Sequence, residues 1–182
     1  MNLSSQRKEP KSFKRTFEVI IDCIIIVVLL FMAVALLGNI TGYAKVNNVI
    51  GNSMEPNFQE GNYTISSTHI TDYKRGDVVI VDTDEYEVIK RIIGLPNEKI
   101  EIKENSIYIN GELLSEDYLK YKNNKENKTI TLKENEYYIL GDNRDVSRDS
   151  RSYGPITTEK IISVVYCKID TSNSDIEITK IR

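Results

Sequence analysis

The chain has 182 residues, of which 28% are charged and 40% hydrophobic, and its formal net charge is −3. This length suits about one domain of roughly 100 to 200 residues, and the composition is that of an ordinary folded protein. The acidic balance gives no positive field for a nucleic-acid backbone, so nucleic acid is excluded as a partner. Two cysteines and one histidine without ligand spacing support neither a metal site nor another cofactor.

An apolar segment near the N-terminus predicts a membrane helix. Val19 to Leu37 is apolar throughout except for Asp22, which we expect at the membrane interface. The segment is long enough to span a hydrocarbon core of about 30 Å. A removable signal peptide and a buried core helix are the alternatives, but a cleavable apolar region usually has only about 7 to 15 residues. We therefore predict an uncleaved transmembrane helix over residues 19–40.

The charges around this helix predict its orientation. Residues 1–18 carry five basic and two acidic side chains, a net charge of +3. Because excess positive charge stays on the cytoplasmic side, residues 1–18 form a cytoplasmic tail and residues 41–182 an extracytoplasmic domain. We therefore expect a single-pass protein of the plasma membrane. Cys23 in the membrane and Cys167 outside it are not expected to pair.

The outer part predicts a mainly β fold, because short runs rich in Val, Ile, Thr and Tyr alternate with turn signals. Such spacing indicates a β-barrel or sandwich-like domain. The predicted strands are 46–50, 63–66, 77–81, 87–93, 99–103, 106–109, 129–132, 137–140 and 161–169. The polar stretch Leu113 to Asn127 is expected to leave the sheet as a solvated loop or short helix.

One lysine lies where a charged amine is unusual. Lys90 shares a strand face with Val88 and Ile92 by alternation. Burial disfavours the ammonium form, and a pKa lowered by roughly 3 units would make the amine a competent general base. The alternative is a lysine that extends to solvent from a strand edge. The single histidine, His69, lies in a polar segment with nothing near it that suggests a Ser-His-Asp triad.

Four sequence boxes in the chain resemble those of bacterial type I signal peptidases, in the same order and at similar spacing. They are GNSMEP at 51–56, YKRGDVVIV at 73–81, IKRIIGLPNE at 89–98 and GDNRDVSRDSRSYGPI at 141–156. Single boxes are weak signals, whereas the set together with an N-terminal anchor is specific. The resemblance covers the chain from the anchor to about Ile156 and implies a signal-peptidase catalytic domain after the helix.

The resemblance implies a role for each matching residue. Ser53 is similar to the family's nucleophile, and Lys90 to the base that takes its proton. Ser147 matches the serine that orients the lysine amine by a hydrogen bond. The remaining matches are scaffold positions around the site: Asp142, Arg144, Asp149 and Arg151.

The resemblance also implies the substrates, which are exported pre-proteins cut after a small-x-small motif such as Ala-x-Ala. The family binds this segment as an added strand over shallow apolar pockets. By position, the residues expected to line the pockets are Val49, Ile50, Met54 and Ile89. The implied partners are these pre-proteins, the lipid bilayer and, as a further candidate, the secretion translocon. We also expect Met54 and Phe58 to dip into the membrane interface.

One departure from the family concerns the oxyanion hole. Some members have a serine two residues before the nucleophile, where this chain has Gly51. The Ser53 backbone N–H remains as one donor, and the sequence leaves the second donor open. Asn57 stands where threonine is common in the family. The chain lacks the inserted second domain of larger members and is expected to be a minimal form with a single anchor.

Two other functions remain as alternatives. A catalytically idle, anchored binding protein could hold exported segments, although all the catalytic positions of the family are filled. A self-cleaving repressor shares the Ser/Lys pair, but it would need a DNA-binding segment in place of the anchor.

Overall fold

The computed structural model describes residues 11–119, 127–172 and 175–182. The chain divides into two compact units, the first ending at Thr41 and the second beginning at Gly42. The first unit contains one long helix, and the second contains the strands.

Helix α1 spans Lys11–Thr41 and is longer than the predicted membrane segment. Its apolar part, Thr16–Thr41, has 26 residues, and its large apolar side chains are exposed. At 1.5 Å per residue this part is about 39 Å long, which is enough to cross a hydrocarbon core. Within the residues described, it is the one helix whose length and composition would allow that.

The second unit is mainly β, as predicted. Its strands are β1 (Lys45–Asn48), β2 (Tyr63–Ser67), β3 (Val78–Asp82), β4 (Glu87–Gly94), β5 (Lys99–Lys103), β6 (Ser106–Ile109), β7 (Glu112–Leu113), β8 (Lys128–Thr131), β9 (Glu136–Leu140), β10 (Ile156–Thr157), β11 (Ile161–Asp170) and β12 (Glu177–Lys180). A four-residue helix, α2 (Ser150–Tyr153), precedes β10, and a 3₁₀ turn, Thr158–Lys160, follows it.

The strands form two antiparallel sheets. The larger has eight strands in the order β1-β2-β11-β3-β4-β9-β10, with β12 paired to β11. The smaller sheet has the order β7-β6-β5-β8. Strand β9 pairs with β4 only from Arg91 onward, opposite Leu140. The edge of β4 that faces β9 is therefore free of a described strand over residues 87–90, and this is where the candidate site lies.

Three apolar clusters form the core of the second unit. One contains Val79, Val81 and Ile92 from the large sheet, and another contains Ile100 and Ile107 from the small one. Strand β5 alternates between buried and less buried side chains, whereas β3 is buried on both faces, with Val79 and Val81 on one of them. The third cluster packs the segment after β1 against β3 and β11, and its members are Val49, Met54, Phe58, Val78, Ile80 and Val165.

The third cluster contradicts one expectation. Met54 and Phe58 are 1% and 0% exposed, so they do not reach a membrane interface. The Phe58 backbone N–H donates to the Met54 carbonyl across one turn, at 3.0 Å. Two side chains at this spacing lie on the same face of the turn, and both point into the core.

All nine predicted strands are present, and no strand end differs by more than two residues from its prediction. Sequence patterns missed β7 and β10, which have two residues each, and β12, whose side chains are mostly exposed. The stretch Leu113 to Asn127 is only partly as expected. Leu113 belongs to β7 and Glu116 is buried, whereas residues 120–126 lie outside the described part of the chain.

Candidate active site

Ser53 lies in a tight turn between β1 and β2. Backbone hydrogen bonds join Val49 to Asn62 and Gly61 to Val49, at 2.8 and 3.0 Å, and these fix the base of the turn. Gly51 adopts φ = +77°, a left-handed conformation that favours glycine. The peptide bond from Glu55 to Pro56 is cis. Met54, the residue after Ser53, is anchored in the core. This holds the Ser53 side chain at the surface of the domain.

Lys90 lies beside Ser53, although the two residues are 37 positions apart in the sequence. Its Nζ donates a hydrogen bond to Ser53 Oγ at 2.8 Å and another to the Ile89 carbonyl at 2.7 Å. The residue is 3% exposed, so the alternative of a lysine extending into solvent is wrong. A nucleophile and a base within hydrogen-bond distance form the arrangement that serine hydrolysis requires.

Burial changes the protonation of Lys90. Desolvation disfavours the ammonium form and lowers its pKa from 10.5 to about 8, while the charges of Asp149 and Asp142 partly oppose the shift. At pH 7 about one tenth of the amine is then neutral, compared with about one part in 3,000 for an ordinary lysine. The buried amine can therefore accept a proton at neutral pH.

The loop after β9 packs directly against the Ser53 turn. Asn143 donates its backbone N–H to the Ser53 carbonyl at 3.0 Å and its side-chain amide to the Asn52 carbonyl at 3.2 Å. Gly141 is required here, since a Cβ at this position would lie 2.4 Å from the Ser53 carbonyl oxygen and 2.2 Å from Ser147 Oγ. The close approach positions the Ser53 backbone against the loop.

Asp149 and Arg151 brace this loop. The Asp149 carboxylate is fully buried and accepts hydrogen bonds from the Gly141 N–H at 3.0 Å and from Arg151 Nε at 2.8 Å. It also accepts from the Arg151 backbone N–H and so caps helix α2. One carboxylate thus ties the start of the loop to its end.

Asp142 makes a second buried ion pair, with Arg91. Arg91 Nε and Nη2 donate to the two carboxylate oxygens at 2.8 and 2.6 Å. The Asn57 side-chain amide also donates to Asp142, at 2.8 Å, and to the Tyr118 carbonyl at the same distance. Sequence analysis assigned no role to Arg91 or Asn57. Of these, only Arg91 carried a signal, its place inside an apolar strand.

Arg144 pairs with a residue that sequence analysis missed. Its guanidinium donates to the Glu116 carboxylate and to the Gly141 carbonyl, and both charged side chains are almost fully buried. The Tyr118 hydroxyl also donates to Glu116, and burial raises the Tyr118 pKa. Glu116 stands in a polar, strand-poor stretch without periodicity, so no sequence pattern marked it. Its pairing joins residues 116–118 to the loop of the active site.

Ser147 is near the site but does not make its expected contact. Its hydroxyl is buried and has no hydrogen-bond partner among the residues described. The Ser147 backbone N–H donates to the Asn143 carbonyl at 3.1 Å, which keeps the side chain beside Gly141. The hydrogen bond expected between Ser147 and Lys90 is not formed in this structure, and the orienting role of Ser147 stays a prediction.

A groove of about 490 Å³ runs from Ser53 and Lys90 along the free edge of β4. Three of the residues expected to line substrate pockets, Val49, Ile50 and Ile89, line this groove. Met54 does not line it, because its side chain turns into the core. The groove combines an apolar wall with a strand edge, which is the arrangement that receives an extended peptide.

Comparison with known proteins identifies the family. A family model described as "Signal peptidase, peptidase S26" matches residues 20–169. The chain therefore belongs to the signal peptidase family S26, a family of peptidases.

Individual relatives agree with this assignment. The chain is 38% identical to a signal peptidase I of Bacillus licheniformis over 120 residues, or 57% of this chain, and it spans 64% of that protein. It is 35% identical to signal peptidase I V of Bacillus subtilis strain 168 over 64% of this chain and 80% of that protein. It is 29% identical to signal peptidase IB of Staphylococcus aureus strain COL over 80% and 87%.

A solved structure is also similar. The crystal structure of a signal peptidase I from Enterococcus faecalis V583 matches with 33% identity and a TM-score of 0.46. It covers 51% of this chain and 96% of that one.

Proposed function

We propose that this protein is a membrane-anchored serine endopeptidase that removes N-terminal signal peptides from exported pre-proteins. Ser53 is its nucleophile and Lys90 its general base, and cleavage follows a small-x-small motif such as Ala-x-Ala. The observation that carries the proposal is the 2.8 Å contact between Lys90 Nζ and Ser53 Oγ in a site that lowers the Lys90 pKa to about 8. Membership of the signal peptidase family supports the substrate class.

In the first half of the reaction, the neutral amine of Lys90 takes the hydroxyl proton of Ser53. The Ser53 oxygen attacks the scissile carbonyl carbon and forms a tetrahedral intermediate. When the C–N bond breaks, the Lys90 ammonium gives the proton to the leaving amine, which becomes the N-terminus of the mature protein. The signal peptide remains attached to Ser53 as an ester.

In the second half, Lys90 accepts a proton from a water molecule that attacks the ester. The C–O bond to Ser53 then breaks, and the proton passes from Lys90 back to the serine oxygen. The signal peptide leaves as a carboxylic acid, which loses its proton to solvent. No cofactor is needed, because Lys90 carries the proton in both halves, from Ser53 to the leaving amine in the first and from water to Ser53 in the second.

The backbone N–H of Ser53 stabilises the negative charge that develops on the carbonyl oxygen. In the described part of the chain this N–H has no hydrogen-bond partner, so it is available to a substrate. Gly51 provides no side-chain hydroxyl, so we assign the role of second donor to another backbone N–H. Loss of one such donor typically costs about 10² to 10³ in rate.

Substrate specificity follows from the groove. An extended peptide would pair with the free edge of β4 at residues 87–90 and place small side chains against Val49, Ile50 and Ile89. A shallow apolar pocket rejects large side chains because they have no room. We assign Asp142, Arg144, Asp149 and Arg151 to holding the loop against Ser53, and Ser147 to orienting the Lys90 amine during the reaction.

The proposed topology has three parts. Residues 1–18 form a cytoplasmic tail, residues 19–40 a transmembrane anchor and residues 41–182 an extracytoplasmic catalytic domain. The apolar helix Thr16–Thr41 supports the anchor, and the basic N-terminal segment supports the orientation. The partners are then the bilayer and pre-proteins held in it, with the translocon as a candidate source of substrate.

The test is cleavage of a purified pre-protein by the full chain in detergent. The cut site is read by mass spectrometry of the mature product, and Ser53→Ala is the inactive control. We expect a single cut after Ala-x-Ala and a large loss when the alanine just before the cut is replaced by leucine. Equal cleavage of both substrates, or cleavage by Ser53→Ala, would contradict the proposal.

A further inference from the structure

Arg148 reaches across the far end of the substrate groove. It lies between Ser147 and Asp149 in the loop after β9, and its side chain extends to the turn that joins β3 to β4. Its Nη1 is 3.3 Å from the Glu85 carboxylate and 3.4 Å from the Tyr86 hydroxyl. The loop that supports the active site therefore also contacts the β3–β4 turn.

This contact separates two cavities. Arg148 and Tyr86 line the groove that contains Ser53 and Lys90, and they also line a second cavity of about 320 Å³. Tyr86 precedes Lys90 by four residues, which is about 13 Å along an extended strand. Arg148 thus lies at the end of the free strand edge that is far from Ser53 and Lys90.

The charges at this end are predominantly negative. Glu87 lines the groove, and the side chains of Asp82, Asp84 and Glu85 line the second cavity. Among the described residues that line the groove, the cations are Lys90 and Arg148. Lys160 also lines the second cavity and pairs with Asp84, so within the groove itself Arg148 is the positive group at this acidic end.

The contact between Arg148 and Glu85 is open to exchange. Their side chains are 61% and 64% exposed, and an ion pair this open to solvent contributes little to stability. A carboxylate of a bound peptide can replace Glu85 as the partner of Arg148 at little cost. The guanidinium, with several donors in one plane, can also keep one contact while it forms another.

We propose that Arg148 determines specificity by reading the charge of a substrate side chain about four residues before the residue at the cut. With Arg148 present, the groove accepts an acidic side chain at this position; without it, the acidic rim rejects one. This inference rests on the proposed function, in which the small-x-small motif precedes the cut. The residues proposed to hold the small side chains before the cut, Val49, Ile50 and Ile89, line the same groove as Tyr86 and Arg148, so we place the signal-peptide side of the substrate along Arg148.

The experiment measures kcat/KM of the full chain in detergent for a pre-protein with an Ala-x-Ala site. Glu, Gln or Lys is placed in turn at the fourth, fifth and sixth residues before the cut. Arg148→Glu is compared with wild type. The control is Lys74→Glu, which makes the same charge change at another exposed ion pair, Lys74 with Asp72 at 3.5 Å.

For at least one position, we expect Arg148→Glu to lower the Glu-to-Lys ratio of kcat/KM about tenfold, because one attraction becomes a repulsion. Lys74→Glu is expected to leave the ratio at its wild-type value. Exchange of both charges, Glu85→Arg with Arg148→Glu, returns a cation to the rim and should restore most of the ratio.

Two failures are distinguishable. If wild type cuts these substrates but the ratio is unchanged in Arg148→Glu at all three positions, this inference is overturned and the proposed function stands. If wild type cuts none of several Ala-x-Ala substrates, the proposed function fails and the inference fails with it. Thermal unfolding of Arg148→Glu checks that the variant is folded, which its exposed position leads us to expect.

Discussion

Lys90 Nζ lies 2.8 Å from Ser53 Oγ, and the two residues reach each other from separate parts of the fold. Ser53 is held by the turn after β1, and Lys90 by the free edge of β4. The Asn143 backbone N–H fixes the turn from the loop after β9, at the Ser53 carbonyl. Three segments far apart in sequence thus set one distance, and changes in any of them are expected to alter activity.

Burial of Lys90 is expected to cost stability. Its folded-state pKa of about 8 is below the ordinary 10.5, so the unfolded chain binds more protons between these values. Stability therefore rises with pH from about 8 to 10.5, and the full penalty applies below 8. Lys90→Met should abolish cleavage and raise the free energy of unfolding at pH 7 by up to about 3 kcal/mol. Urea unfolding at pH 7 and pH 10 measures this, and a variant less stable than wild type at pH 7 would contradict it.

Ser147→Ala is expected to lower activity without lowering stability. The Ser147 hydroxyl is buried without a partner, so its removal should leave stability equal or raise it by about 1 kcal/mol. If the hydroxyl orients Lys90 during the reaction, kcat falls by about 10² or more while KM changes little. Steady-state kinetics and thermal unfolding give both readouts. Unchanged kcat would remove Ser147 from the proposed machinery.

Gly141→Ala should displace Ser53. The new Cβ would lie 2.4 Å from the Ser53 carbonyl oxygen, so the turn or the loop must shift. A displacement of about 1 Å at a catalytic group can cost about 10² in rate. Gly111→Ala is the matched control, because its Cβ meets nothing within 4 Å although its φ of +89° makes the change strained. Only the Gly141 variant should lose activity. A Gly141→Ala variant that cuts at the wild-type rate would contradict the claim that the loop positions Ser53.

Asp142→Asn should strongly destabilise the domain. The substitution leaves the Arg91 guanidinium buried without its carboxylate partner. Removing one partner of a buried ion pair typically costs about 3 to 5 kcal/mol of stability. Glu101→Gln removes a partly exposed pair with Lys99 and should cost less than about 1 kcal/mol. Chemical denaturation of both variants compares the two effects. Similar losses of stability in the two variants would contradict the assignment of Asp142 to holding the loop against Ser53.

Sequence patterns predicted the strands because alternation of buried and exposed side chains is a local signal. They also marked Lys90, a charged residue among aliphatic neighbours in a strand. The family resemblance pointed to Ser53 and to the loop residues 141–151, which the structure brings against the Ser53 turn. These predictions did not depend on knowing which distant segments contact each other in the fold.

The missed residues depend on long-range packing. Asn57 and Glu116 stand in segments without periodicity, and their partners, Asp142 and Arg144, are 85 and 28 residues away. Nothing local distinguishes a polar residue that has a long-range partner from a solvated one. The error at Met54 has the same origin, since its direction is set by the turn that also buries Phe58 in the third core cluster.

The most direct test of the account is the pH dependence of kcat/KM for an Ala-x-Ala pre-protein between pH 6 and 10. Wild type is compared with Ser53→Ala and Lys90→Ala. We predict that both variants are inactive and that the wild-type rate falls about tenfold per pH unit below an apparent pKa near 8. Activity in Lys90→Ala, or a wild-type profile that is flat between pH 6 and 8, would contradict Lys90 as the base.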